Sequence, residues 1–155
     1  MPVQALKNFL NEHRVKYLVI SHSPAFTTQE IAARAHISGK ELAKTVIVKI
    51  DGRLAMAVLP ASQKVDLLEL QQAIGAERIE IAREEEFRSR FPDCDLGAMP
   101  PFGNLYGMDV YVADSLAQDE EIAFNAGSFI ELIKLAYRDF EWLARPKVLH
   151  FAAPV

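Results

Sequence analysis

An α+β domain with a mainly antiparallel, barrel-like mixed sheet surrounded by helices is the fold class predicted by this 155-residue sequence, on three observations. Two apolar, β-branched-rich runs, Lys44 to Ile50 and Arg53 to Leu59, flank Asp51-Gly52, the strongest short-range hairpin signal. Helical periods are scattered among short strands instead of alternating regularly with them, which disfavours a doubly wound parallel sheet. Half of the residues are hydrophobic and a quarter charged, enough to build one core, and no linker or repeat interrupts the chain. Residues 1–155 are therefore expected to form a single domain.

Val3, Leu6, Phe9 and Leu10 recur at helical spacing over residues 3–13, and Tyr17-Leu18-Val19-Ile20 is a short β-rich run. The N-terminus has neither the charged start nor the apolar block of a secretory signal, so residue 1 is expected to belong to the fold. Thr27 and Glu30 stand at capping-box spacing before an alanine-rich run to Ala35, which predicts a second helix. After the hairpin, Asp66 precedes Leu67, Leu68, Leu70 and Ile74, a helical pattern that Gly75 can close. Ile79 and Ile81 suggest a short strand, and residues 83–90 a charged helix stopped by Phe91-Pro92. A Gly- and Pro-rich loop runs from Leu96 to Gly103. Strands are predicted over Met108 to Ala113 and Glu121 to Phe124, the second ending in Asn125-Ala126-Gly127. Residues 129–136 fit both the helical and the strand period. Tyr137 to Ala144 reads as a helix closed by Arg145-Pro146.

A single cysteine rules out an internal disulfide, and no apolar run approaches the 18 residues or so that span a bilayer. A reduced, cytoplasmic setting without a membrane partner is expected. The formal charge of −4 argues against a protein that coats nucleic acid by phosphate neutralisation. The charge is unevenly spread. Residues 34–64 hold Arg34, Lys40, Lys44, Lys49, Arg53 and Lys64 against Glu41 and Asp51, whereas residues 109–125 are acidic throughout.

Strand alternation puts Lys44 on the apolar face of Val46, Val48 and Ile50, with Thr45, Ile47 and Lys49 pointing the other way. Such an ammonium either bends out to water over its own stem or sits at the rim of a cavity as a partner for a phosphate or carboxylate oxygen. The loop Gly97 to Gly103 combines prolines that stiffen the chain with glycines that permit close backbone approach. It is a stiff connection, or a frame presenting fixed N–H donors to an oxyanion. Asn125-Ala126-Gly127-Ser128 could form an anion-binding nest, or Gly127 could simply supply a positive φ. Cys94 lies between Asp93 and Asp95, which would raise its thiol pKa, so a thiol nucleophile is disfavoured. His13, His22, His36 and His150 are widely separated, and the glycine patterns of dinucleotide and triphosphate sites are absent. No metal or other cofactor is expected.

Taken in order, His22-Ser23-Pro24 with Thr27, Ala43-Lys44-Thr45-Val46, Lys64-Val65-Asp66, the Gly97 to Gly103 loop and Phe124-Asn125-Ala126-Gly127-Ser128 resemble the YbaK/ProX family. These are free-standing relatives of the editing domain of bacterial prolyl-tRNA synthetases, and the resemblance spans about Leu6 to Ala144. It implies hydrolysis of the ester of a mischarged aminoacyl-tRNA carrying a small amino acid such as Ala, Cys, Ser or Thr, on tRNA-Pro or a similar tRNA. By the same resemblance, Lys44 engages the phosphate and ribose of the terminal adenosine. The backbone of Gly97, Ala98 and Met99 through Pro101 contacts the ester and aminoacyl group. His22, Thr27, Lys64, Asn125, Ala126, Gly127 and Ser128 fall at substrate-binding motifs.

Phe129 departs from the pattern, since many members carry histidine there, and the departure bears on rate more than on fold. Water is the expected attacking group, assisted by the vicinal ribose hydroxyl, although a cysteinyl substrate could instead cyclise through its own thiol. The partner is the acceptor end of a mischarged tRNA, with an aminoacyl-tRNA synthetase or an elongation factor delivering or competing for it. A non-catalytic module that binds an aminoacyl ester or a protein is the alternative that Phe129 and the acidic net charge motivate. A Cys94 thiol hydrolase is the third.

Overall fold

The computed structural model describes residues 3–22, 30 and 41–155. In chain order the elements are α1 (Gln4–Glu12), β1 (Tyr17–Ser21), β2 (Ala43–Ile50), β3 (Arg53–Pro60), β4 (Gln63–Val65), α2 (Leu67–Ile74), β5 (Ile79–Ile81), α3 (Glu84–Phe87), β6 (Asp109–Ala113), α4 (Asp114–Ala117), β7 (Glu121–Asn125), β8 (Glu131–Ala136), α5 (Tyr137–Ala144), β9 (Lys147–Leu149) and β10 (Ala152–Pro154). Short 3-10 turns cover Arg88–Arg90 and Gly103–Leu105. The second helix predicted from Thr27 lies outside the described residues except for Glu30, which is helical.

The predicted hairpin forms β2 and β3, in register from Ala43 opposite Pro60 to Ile50 opposite Arg53. Asp51 and Gly52 adopt φ of 49° and 86°, the mirror-image turn whose twist matches the flanking strands. Asp66 caps α2 as expected, its carboxylate accepting from the Glu69 N–H at 3.1 Å, and Gly75 ends it at φ 79°.

Among the described residues three sheets result. β2 and β3 sit inside a five-stranded sheet of order β5-β2-β3-β6-β9, β8 lies between β1 and β7 in a second sheet, and β4 pairs with β10. The β3–β6 and β6–β9 pairings are parallel and the others antiparallel, so the mixed, mainly antiparallel class holds. The barrel-like sheet does not close into a barrel among the described residues. Among the described residues the two larger sheets meet through one parallel bridge, Leu42 to Ala123, and by packing.

The main core gathers alternate residues of both larger sheets, including Ile47, Val58, Val112, Phe124 and Ile133, under Leu6 and Leu10 of α1 and Phe140 of α5. A second cluster, with Val48, Leu59, Leu70 and Phe151, covers the other face of the five-stranded sheet. Leu42, Ala123 and Leu132 form a third on the outer face of the three-stranded sheet.

Several expectations change at the level of elements. Of residues 129–136, which fit two periods, 131–136 resolve to strand β8 because both neighbouring strands offer it a ladder, and 129–130 to the turn before it. The helix predicted over 83–90 splits into α3 and a 3-10 turn before Phe91. The three-residue strands β4, β9 and β10 and the single turn of α4 have no counterpart in the sequence reading, being too short to carry a period.

Candidate functional site

Lys44 is the second residue of β2, opposite Leu59, and its neighbours divide as alternation requires. Ala43 and Ile47 enter the main core, while Val46, Val48 and Ile50 belong to the second cluster with Lys44 on their side. Burial of the stem is partial, and it lowers the ammonium pKa because the charged form loses water. Among the described residues no carboxylate forms an ion pair with Lys44. The ammonium is thus partly desolvated and uncompensated among the described residues, which suits it to an anion supplied from outside the chain.

The bridge between Leu42 and Ala123 fixes what stands beside it. That bridge is parallel, and the Ala123 N–H donates to the Glu41 carbonyl at 3.0 Å. Two residues further along come Lys44 and Asn125, on the sides of their strands that alternation shares with Leu42 and Ala123, with β2 and β7 in contact.

Beyond Asn125 the chain turns and locks onto the loop after Cys94. The Gly127 N–H donates to the Ala98 carbonyl at 2.8 Å and the Asp95 N–H to the Gly127 carbonyl at 2.8 Å. Asp95 completes the clamp, its carbonyl accepting from Ala98 N–H at 3.0 Å and its carboxylate from Phe129 N–H at 3.4 Å. Gly127 holds φ 93°, and a Cβ there would run into the side chain of Val3, whose own N–H donates to the Ala126 carbonyl at 3.0 Å. The half-exposed ring of Phe129 lies against Gly97, where an added Cβ would sit 3.1 Å from its Cζ.

These bonds revise what each candidate offers. The Ala126 and Gly127 N–H groups donate to the Glu131 and Ala98 carbonyls, so the turn is a clamp and not an open anion nest. Of the three loop donors, Ala98 N–H is taken by Asp95 and Gly97 N–H by the Met99 sulfur at 3.0 Å. The Met99 N–H finds no acceptor among the described residues. Ala98, Met99 and Pro101 are buried, and the Ser128 hydroxyl accepts from Ile130 N–H at 3.2 Å.

His22 continues β1, its N–H donating to the Ile130 carbonyl at 2.9 Å, which brings it beside the Phe129 turn. Lys64 is exposed in β4, a strand that packs against β3, the partner of Lys44 in β2. Thr27 lies outside the described residues.

Cys94 is half-buried with its sulfur 3.4 Å from the Tyr106 hydroxyl. Its thiol is pushed up to about 11, by burial first and with Asp93 and Asp95 adding to it. The flanking carboxylates are thus a lesser cause than the sequence suggests. A thiol that stays protonated at neutral pH is a poor nucleophile. The residue that the sequence reading missed is Asp95, which looks there like a flank of Cys94. An acid two residues before a glycine in a Pro-rich loop is the signal that could have drawn attention to it.

The model of the aminoacyl-tRNA editing domain matches residues 22–143. The chain is 28% identical over 154 residues to the multifunctional Ser/Thr-tRNA deacylase ProXp-y of Escherichia coli (strain K12), covering 96% of this chain and 91% of that protein. To the prolyl-tRNA editing protein ProX of Acetoanaerobium sticklandii it is 25% identical over 148 residues, covering 92% and 90%. A crystal structure described as that of a candidate trans-editing enzyme for prolyl tRNA synthetase shares the fold, with a TM-score of 0.84 at 16% identity over 97% of this chain and 96% of that one. With a match that takes in Lys44, the loop at Gly97 and the turn at Gly127, the chain belongs to the aminoacyl-tRNA editing domain family, as its YbaK/ProX motifs imply.

Proposed function

We propose that this chain is a trans-editing aminoacyl-tRNA deacylase, an ester hydrolase that removes a small amino acid such as Ala, Cys, Ser or Thr from a mischarged tRNA. The observation that carries the proposal is the partly desolvated Lys44 ammonium, without a carboxylate partner among the described residues, two residues past the bridge that joins Leu42 to Ala123. Family membership and the deacylase and editing activities for which the two relatives are named support it.

In this reading Lys44 holds the phosphate and ribose of the terminal adenosine and so fixes the ester against the loop. Water attacks the ester carbonyl carbon, the bond from that carbon to the ribose oxygen breaks, and the proton ends on the released hydroxyl. Met99 N–H, without an acceptor among the described residues, is the loop donor that would meet the developing oxyanion, while Gly97 and Ala98 hold it in place. No protein nucleophile takes part, in keeping with the raised thiol of Cys94. The acceptor end of the tRNA is the part gripped, and a synthetase or elongation factor hands over or competes for the rest.

The test is hydrolysis of tRNAs mischarged with alanine, cysteine, serine and threonine by wild type and Lys44→Ala at fixed salt. Wild type should turn over at least one of them, and the variant should lose about 100-fold or more. Equal rates for the two proteins would overturn the role of Lys44, and no turnover of any substrate by wild type would overturn the deacylase.

A further inference from the structure

A second feature of the surface is left unused by the editing site. At the far end of β1 and β8 from Asn125 lies a groove of about 590 Å3. Its cations are Arg14, Lys16, Lys134 and Arg138, and its carboxylates Glu121 and Asp139. Lys134 already pairs with Glu121 at 3.5 Å, but Arg14, Lys16 and Arg138 form no ion pair among the described residues. A chain of net charge −4 therefore keeps a local surplus of positive charge here. The larger cavity of about 900 Å3 at the hairpin tip has no such surplus, since it sets Lys49, Arg53 and Arg90 against Asp51, Glu86 and Asp109.

The groove also carries the only tryptophan of the chain. Trp142 follows Arg138 by four residues in α5, so both project from one face of the helix. Trp142 is 57% exposed, and its ring meets that of His13 at 5.8 Å and 81°. Leu18, 58% exposed on β1, extends the apolar floor. An exposed aromatic side chain among these cations suits stacking against a base or ribose while the cations neutralise the adjoining phosphates.

The location gives the groove a use. Register places Ser21 opposite Glu131 at the editing end of the sheet and Tyr17 opposite Leu135 at the groove end. Those four steps of strand correspond to about 13 Å. RNA held by its 3′ end beside the editing end of this sheet has upstream backbone long enough to follow the strands to the groove. We propose that this groove, built on Lys16, Arg138 and Trp142, binds the sugar-phosphate backbone of the substrate RNA upstream of its 3′-terminal adenosine, which rests on the deacylase reading above for the identity of the RNA.

The test compares wild type with Lys16→Ala/Arg138→Ala and with Trp142→Leu, on two substrates and in one binding assay. The substrates are a full-length mischarged tRNA and the same amino acid esterified to adenosine, which is too short to reach the groove. The expected result is a KM for tRNA raised about tenfold in the double variant, with kcat unchanged and hydrolysis of the adenosine ester unaffected. Uncharged acceptor-stem RNA should quench Trp142 fluorescence in wild type. By anisotropy of labelled RNA, the double variant should show a slope of log affinity against log salt shallower by about 1 to 2 units.

Wild-type affinity and salt slope in the double variant would overturn the proposal, as would equal losses on tRNA and on the adenosine ester. If wild type hydrolyses neither ester, the deacylase reading falls while the RNA-binding arm still decides the groove. If the acceptor-stem RNA does not bind wild type, the groove is not an RNA surface.

Discussion

At Lys44 the cost to folding and the use proposed in chemistry fall on the same atom. Burial lowers the ammonium pKa, so the folded state holds that charge less comfortably than the unfolded chain does, and no carboxylate among the described residues offsets it. Lys44→Met keeps the stem and removes the charge. It should abolish hydrolysis while leaving Tm unchanged or raised, which paired thermal melts and activity assays would check. A fall in Tm beside lost activity would mean that Lys44 supports the fold instead. Gly127 has the opposite character, since its left-handed backbone and the closeness of Val3 leave no space for a side chain. Gly127→Ala should cost about 2 to 4 kcal/mol in urea unfolding. The side of the strand that Lys44 takes is legible in the sequence because strand period is fixed at two. The role of Asp95 is not, because its partners Gly127 and Phe129 lie more than thirty residues away and only the folded chain brings them to it.

The hairpin is the element in which local chemistry and tertiary structure agree most closely. Asp51 supplies one left-handed residue of the turn, and its carboxylate accepts from Arg78 N–H at 2.8 Å and Glu77 N–H at 3.4 Å, tying the tip to the approach of β5. Asp51→Ala removes both acceptors and leaves a Cβ in a disfavoured conformation. A loss of about 1 to 2 kcal/mol is expected in denaturant unfolding, and Asp51→Asn should recover part of it. The Asp-Gly pair announces this turn in the sequence, but nothing there announces that β5 will use it. The same limit explains β8, whose six residues satisfy two periods until the edges of β1 and β7 select one. The strands β9 and β10 are unread for a simpler reason, as three residues contain barely one full alternation.

Across the whole molecule the C-terminal segment is held by a small electrostatic clasp. His150, between β9 and β10, sets Nδ1 3.1 Å from an Asp114 oxygen at the start of α4 and Nε2 3.6 Å from Glu69 in α2. The hydrogen bond to Asp114 and the two nearby carboxylates raise its pKa above the ordinary 6.5. A raised folded value means that the clasp stabilises fully below about pH 6.5 and that its contribution is lost as pH rises through the folded value. Unfolding measured across that range should show stability falling with pH in wild type and a flatter profile in His150→Ala. A difference between the two proteins that does not vary with pH would remove the clasp. The α+β class was legible from hairpin and composition, whereas the division into three sheets was not, since barrel closure depends on which edges meet.

The position of β8 has a consequence for the order in which the molecule can be made. β1 and β7 are synthesised before it, yet neither pairs with the other, and β8 is the strand that joins them. Until residue 136 has left the ribosome, both edges of the future sheet stand open and the turn at Gly127 has only part of its frame. A nascent chain stopped short of that point already contains Lys44, the loop at Gly97 and Asn125, and still lacks the strand that holds them in register. The candidate site is thus completed in two steps, with the parts proposed to react made first and fixed in place by a strand that emerges after them.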